Sequence, residues 1–242
     1  MADAIVRTQA MFASTIAEYY VEEEKIRLEL EIGAADLQSF RNLLPDEIYQ
    51  KLGNTPRVFA ERLADFFTRD LVIRADDGGP LIGRIVEMGP RPRVKRDEIT
   101  GEPLPVGEEE PEVVVYASIE YPLEGRPRTL MLQGPAMNPL PSVGFVAYHR
   151  GIAVNDFRYL TPLQALELDW EDPWYSAFER RALRRSDFAP MSGFIYVEPY
   201  EVRKEIIVRP LDLQRSVDLG LDGSETIPVE IQPELTRRPA AF

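Results

Sequence analysis

Apolar and polar positions alternate from Ile26 to Ile32, where Ile26, Leu28, Leu30 and Ile32 are separated by Arg27, Glu29 and Glu31. A period of two marks a strand with one buried and one wet face. Ile16 and Tyr20 extend the pattern upstream, and the polar run Glu22-Glu23-Glu24-Lys25 reads as a turn. Residues 14–32 are therefore expected to form an antiparallel hairpin. From Ala34 the period lengthens. Leu37, Phe40, Leu43 and Leu44 have helical spacing, Pro45 interrupts them, and Asp46 can cap a short segment ending at Gly53. Thr55-Pro56 then opens a third helix with the stripe Val58, Phe59, Leu63, Phe66 and Phe67, which makes residues 34–70 a helical insertion.

Strand character returns at Leu71. Leu71 and Ile73, then Leu81, Ile82, Ile85 and Val86, suggest two strands around Asp76-Asp77-Gly78-Gly79-Pro80, and the proline- and charge-rich stretch from Pro90 to Pro111 reads as an exposed loop. Glu112 to Tyr121 is expected to pair with Thr129 to Gln133, and Val143 to His149 with Ile152 to Asp156 across Arg150-Gly151, so residues 71–168 form antiparallel strands. Asp172-Pro173 predicts a helix over 172–185 with the stripe Trp174, Phe178 and Leu183, and Arg180, Arg181, Arg184 and Arg185 crowd its C-terminal end.

The two ends of the chain resemble each other. Tyr20-Val21-Glu22, Arg27, Glu29 and Asp36-Leu37-Gln38 recur as Tyr196-Val197-Glu198, Arg203, Glu205 and Asp212-Leu213-Gln214, at a constant offset of 176 and with 8 identities in 19 positions. Composition alone would give about one. The same offset pairs Leu43 with Leu219, Asp46 with Asp222, Arg62 with Arg238, Ala64 with Ala240 and Phe66 with Phe242. Residues 1–189 are thus read as one complete repeat unit, and 190–242 as the start of a second that breaks off inside a helix. The expected fold is α+β: a mainly antiparallel, β-sandwich-like sheet with a helical insertion after the first hairpin, followed by a partial second copy of the hairpin-helix unit.

Composition narrows the chemistry. The 242 residues include no cysteine, which removes disulfides, thiolate metal sites and a cysteine nucleophile, and one histidine, His149, which removes any site needing two imidazoles. The net charge of −13 argues against a surface devoted to nucleic acid, and no run approaches the roughly 20 apolar residues that span a bilayer. A general base at His149 would need a nucleophile and a carboxylate in reach. Ser142 and Asp156 are near in sequence, but the chain has no G-x-S-x-G elbow, phosphate loop or zinc motif.

The densest candidate cluster is Asp169-Trp170-Glu171-Asp172-Pro173-Trp174-Tyr175, which holds both tryptophans and three carboxylates. It could serve as a carboxylate pair for glycoside chemistry, an oxygen-rich calcium site or an aromatic platform; alternatively Asp169 and Asp172 cap a helix while Trp170 and Trp174 fill a junction. Binding residues are accordingly sought among Trp170, Trp174, Tyr175, Asp169, Asp172 and His149, with no catalytic set. No cofactor is expected, although Asp76-Asp77-Gly78-Gly79 and Asp218 to Glu225 carry a faint flavour of calcium loops; the run Glu108-Glu109-Glu110 reads as solvated loop. The expected function is a non-enzymatic binding or scaffolding module, an extracytoplasmic (periplasmic) part of a larger tandem-repeat or membrane-anchored protein. Its partner would be another protein or the remainder of its own longer chain. The alternatives are a carbohydrate-active hydrolase using Asp169, Glu171 or Asp172, and a calcium-dependent adhesion or assembly module.

Overall fold

A computed structural model describes residues 9–97, 104–105, 112–136, 140–185, 189–221, 230 and 232–235. The chain forms two compact units, Met1–Ser186 and Asp187–Phe242. The fold is α+β and sheet-dominated, with few helices.

The first unit opens with the hairpin β1 (Thr15–Val21) and β2 (Lys25–Ile32), within the expected bounds. In β2 the alternation works as expected, with Ile26, Leu28 and Leu30 in the core and Arg27 and Glu29 facing the other way. In β1 the expectation for Ile16 and Tyr20 is corrected, since Ala17, Tyr19 and Val21 enter this core, Tyr20 faces away from it and Ile16 packs in a separate small cluster. Among the described residues this hairpin lies at the centre of a seven-stranded sheet. β5 (Val113–Pro122) pairs antiparallel with β2, and β4 (Arg84–Pro92) lies outside β5. On the other side β7 (Val143–His149) pairs with β1 in parallel, from Thr15↔Val143 to Val21↔His149. The short β8 (Ile152–Ala153) and β9 (Arg158–Tyr159) both pair with β7. Arg150 and Gly151 have φ of 48° and 83°, the two positive values that a tight primed turn between β7 and β8 demands.

A second sheet runs β11 (Ala177–Phe178), β10 (Gln164–Glu167), β6 (Thr129–Gln133) and β3 (Val72–Ala75). Ile73, Leu130, Leu132, Leu166 and Phe178 from this sheet join the inward residues of the first in one apolar core. The insertion contributes Phe40, Leu43, Leu44, Phe66 and Phe67 to it. Helix α1 (Asp46–Lys51) and helix α2 (Phe59–Asp65), prolonged by a wider turn over Phe66–Asp70, supply its regular structure. Arg62 is wholly buried there, stacked 4.1 Å from the Tyr49 ring centroid; it donates to the carbonyls of Arg41 and Leu44 and pairs with Asp46.

Several local expectations need correction. Helix α2 begins at Phe59 rather than at Pro56, β4 runs on to Pro92 into the expected loop, and β7 lies parallel to β1 although residues 71–168 are expected to be antiparallel throughout. The helical spacing of Leu37 to Leu44 yields only a 3-10 turn over Ala34–Asp36 followed by further turns, because Asp36 is tied to the strand by Thr15 Oγ1 at 2.8 Å. The strands flanking Asp76–Pro80 do not form a hairpin with each other: β3 pairs with β6, and β4 with β5 in the other sheet. For the same reason β5 does not pair with β6, whose neighbours are β3 and β10. Local sequence fixes strand character, whereas the two faces of a sandwich decide the partner. Finally, no helix spans 172–185. Pro173–Tyr175 is a single 3-10 turn, Ala177–Phe178 is strand β11, and Arg181–Leu183 is another 3-10 turn. A helix would have stacked Arg180 on Arg184 and Arg181 on Arg185; instead Arg184 donates to the Phe178 carbonyl and Arg185 to those of Ala153 and Trp174.

The second unit contains β12 (Met191–Val197) and β13 (Val202–Val208), paired antiparallel, followed by helix α3 (Pro210–Leu213). Its hairpin has the register of the first, residue for residue. Thr15↔Ile32 and Val21↔Ile26 in the first hairpin become Met191↔Val208 and Val197↔Val202, each shifted by 176. The turn bond Glu22 N to Lys25 O and its counterpart Glu198 N to Glu201 O are both 2.9 Å. The closing bond from Gly33 N to Ser14 O recurs from Arg209 N to Pro190 O.

Candidate functional site

The 169–175 cluster forms one compact turn. Asp169 Oδ1 accepts the amides of Glu171 and Asp172 at 3.0 and 2.9 Å, and Asp172 Oδ1 accepts the amide of Trp174 at 3.3 Å. Both carboxylates cap backbone, as Asp does ahead of a turn containing proline. Trp170 donates its indole N–H to the Pro127 carbonyl at 2.7 Å and packs against the core. Trp174 carries the Arg185 guanidinium 3.7 Å from its ring centroid, and the Tyr175 amide donates to the Asp172 carbonyl.

His149 joins the same cluster from the end of β7. It is fully buried, with Nδ1 2.6 Å from Ser176 Oγ and its ring 4.4 Å from that of Trp170, nearly perpendicular. Ser176 Oγ also accepts the Asp169 amide at 2.9 Å; with one hydrogen and two lone pairs it can either donate to Nδ1 or accept from it, so the direction of that bond follows the imidazole tautomer. Nε2 has no hydrogen-bond partner among the described residues. Burial, and then the Arg150 charge, lowers the His149 pKa to about 4, against a smaller upward pull from Asp169. A serine and a histidine thus meet, but Ser176 is also buried, so no substrate reaches the oxygen. Ser142 and Asp156 are not its hydrogen-bond partners.

An open cleft of about 1100 Å³ beside the turn is lined by Asp76, Asp77, Glu167, Asp169, Glu171 and Tyr175, among others. Asp76 Oδ1 is engaged by the amides of Arg128 and Thr129. Among the described residues no group of three or more potential ligands is placed to hold a metal ion. Asp218 accepts the Gly220 amide in a turn; the remainder of that acidic stretch from 222, and Glu108 to Glu110, lie outside the described residues.

The second hairpin differs from the first in its surroundings. β1–β2 is flanked by β7 and β5, whereas among the described residues β12 and β13 pair only with each other. Ile195, Val197 and Val202 are 68%, 78% and 69% exposed, and Met191, Ile206 and Ile207 are exposed as well. Yet the outward polar group is retained. Arg27 sits 3.9 Å from the Tyr20 ring centroid, and Arg203 sits 4.6 Å from that of Tyr196. Tyr196 donates to Glu205, the counterpart of Glu29. In the first unit this group continues across the sheet, since Tyr20 stacks on Tyr148 of β7 at 5.0 Å and Arg27 is in register with Glu120 of β5. These residues were absent from the sequence-based candidates. The signal lay in the repeat itself, whose hairpin identities include the wet positions Tyr20, Arg27 and Glu29.

Neither a protein-family model nor a curated protein sequence matches the chain.

Proposed function

We propose that the chain is a non-enzymatic binding or scaffolding module in which a repeated hairpin organises sheet assembly, within a larger tandem-repeat or membrane-anchored protein working outside the cytoplasm. One observation carries this reading: a hairpin that is the centre of a sheet in the first unit recurs in the same register with no further strand along either edge among the described residues and with its apolar side chains exposed. Edges normally carry devices against pairing. β4, at one edge of the first sheet, has Pro90, Pro92 and a bulge between Ile85 and Glu87; β12 and β13 contain no proline and no bulge. The absence of cysteine is compatible with an oxidising compartment. Four of the candidate acid–base side chains have structural partners: Asp169 and Asp172 accept backbone amides, and His149 and Ser176 are bonded to each other.

Fractionating the source cells and blotting with an antibody to residues 9–185 tests the proposal. The expected band is longer than 27.6 kDa and sits in the exported or membrane fraction. A 27.6 kDa protein confined to the cytosol would overturn the reading.

A further inference from the structure

We infer that the β12–β13 hairpin is a docking element for a repeat segment equivalent to residues 67–185, one that lacks a β1–β2 hairpin of its own, taking its β7-like strand in parallel along β12 and its β5-like strand antiparallel along β13. This rests on the scaffolding reading above and gives it a partner. The first unit displays how a hairpin of this sequence is covered, and the hydrogen-bond phase says which groups await the partner. Thr15 N donates to Ser142 O ahead of β7, whereas Gly33 N donates to Ser14 O and Glu22 N to Lys25 O across the hairpin. By alternation the amides of Thr15, Ala17, Tyr19 and Val21 point to β7, and those of Ile26, Leu28, Leu30 and Ile32 to β5. In the second hairpin the internal bonds from Glu198 N to Glu201 O and from Arg209 N to Pro190 O set the same phase. The amides of Met191, Gly193, Ile195 and Val197 therefore line one open edge, and those of Val202, Lys204, Ile206 and Val208 the other.

Side chains specify the partner further. One cross-strand row of the first sheet reads Tyr148, Tyr20, Arg27, Glu120 and Arg84, from β7 to β4. The second hairpin holds only the middle of that row, Tyr196 and Arg203. The docking strands thus present an aromatic ring in register with Tyr196 and a carboxylate in register with Arg203. On the apolar face Lys204 replaces Leu28. A lysine there would be unpaired in the slot that β1–β2 occupies, so the hairpin is not shaped to exchange with β1–β2 of a second copy. The unit it fits places an acidic group opposite Lys204.

The test extends the full chain. Because Phe242 stands where Phe66 stands, a second copy of residues 67–185 is fused after Phe242, alone and together with Lys204→Leu, and amide exchange is read residue by residue. The eight edge amides are expected to slow by at least about a hundredfold relative to the unextended chain in one or both fusions. Unchanged exchange at those eight positions in both fusions overturns the inference. The blot described above is independent: a short cytosolic protein whose hairpin becomes protected in the fusions refutes the scaffolding reading and leaves the docking intact, and the converse pair of results does the opposite.

Discussion

His149 shows how one side chain can look catalytic and be structural. Its pKa of about 4 lies below the ordinary 6.5, so between these values the unfolded chain takes up a proton that the folded chain refuses. Stability is complete above pH 6.5 and falls as the pH drops towards 4, by about 3 kcal/mol from this group alone. Below pH 4 both states are protonated and the loss stops growing. Trp170 against the ring supplies a fluorescence signal for unfolding. His149→Phe is expected to flatten the wild-type fall in unfolding free energy between pH 6.5 and 4; equal slopes in the two proteins would refute the assignment.

At the scale of an element, the strands tolerate different neighbours according to how closely the backbone approaches. A Cβ on Gly144 of β7 would sit 1.9 Å from the Ala10 carbonyl oxygen, so Gly144→Ala must displace the segment that builds the small cluster of Ala10, Met11, Ala13, Ile16, Val146 and Phe157. A cost of about 1 to 3 kcal/mol is expected, read as a lower urea midpoint at unchanged slope. Gly193→Ala is the control, since a Cβ at Gly193 meets nothing within 4 Å, and its midpoint should not fall. Gly33 repeats the lesson. A Cβ there would lie 2.3 Å from the Ser14 carbonyl and 2.8 Å from the Arg93 guanidinium, while the equivalent position carries Arg209.

Alternation made β2 legible in the sequence, because burial on one face imposes it there; β1 and β7, buried on both faces, showed as apolar runs beside turn residues, and β12 and β13 through their recurrence. None of these signals could reveal that β7 runs parallel to β1, or that β3 and β4 part into different sheets, since pairing over long separations leaves no local trace. The false helix at 172–185 arose because Asp172-Pro173 does start a turn. Ser176, committed to His149 and to the Asp169 amide, and Phe178, paired with Leu166, then pull the chain into extended form.

For the whole molecule, two hairpins of related sequence and identical register make an internal comparison of what stabilises a strand. A two-stranded ribbon is marginal in water, whereas a central pair with a covered apolar face opens only with its domain. In the first unit Leu28, Leu30 and Ile32 are fully buried; at the equivalent positions Lys204 and Ile206 are exposed and Val208 is half-buried. The hydrogen-bond register within the hairpin is the same in both, so a large difference in protection reports chiefly on the flanking strands and the core. Amide exchange of the unextended chain at low concentration should show Ile26, Leu28, Leu30 and Ile32 among its slowest amides. Val202, Lys204, Ile206 and Val208 should exchange close to the rates of an unstructured peptide. Equal protection of the two sets in dilute solution would mean that this chain covers its own second hairpin, and the open edges would then have no partner left to recruit.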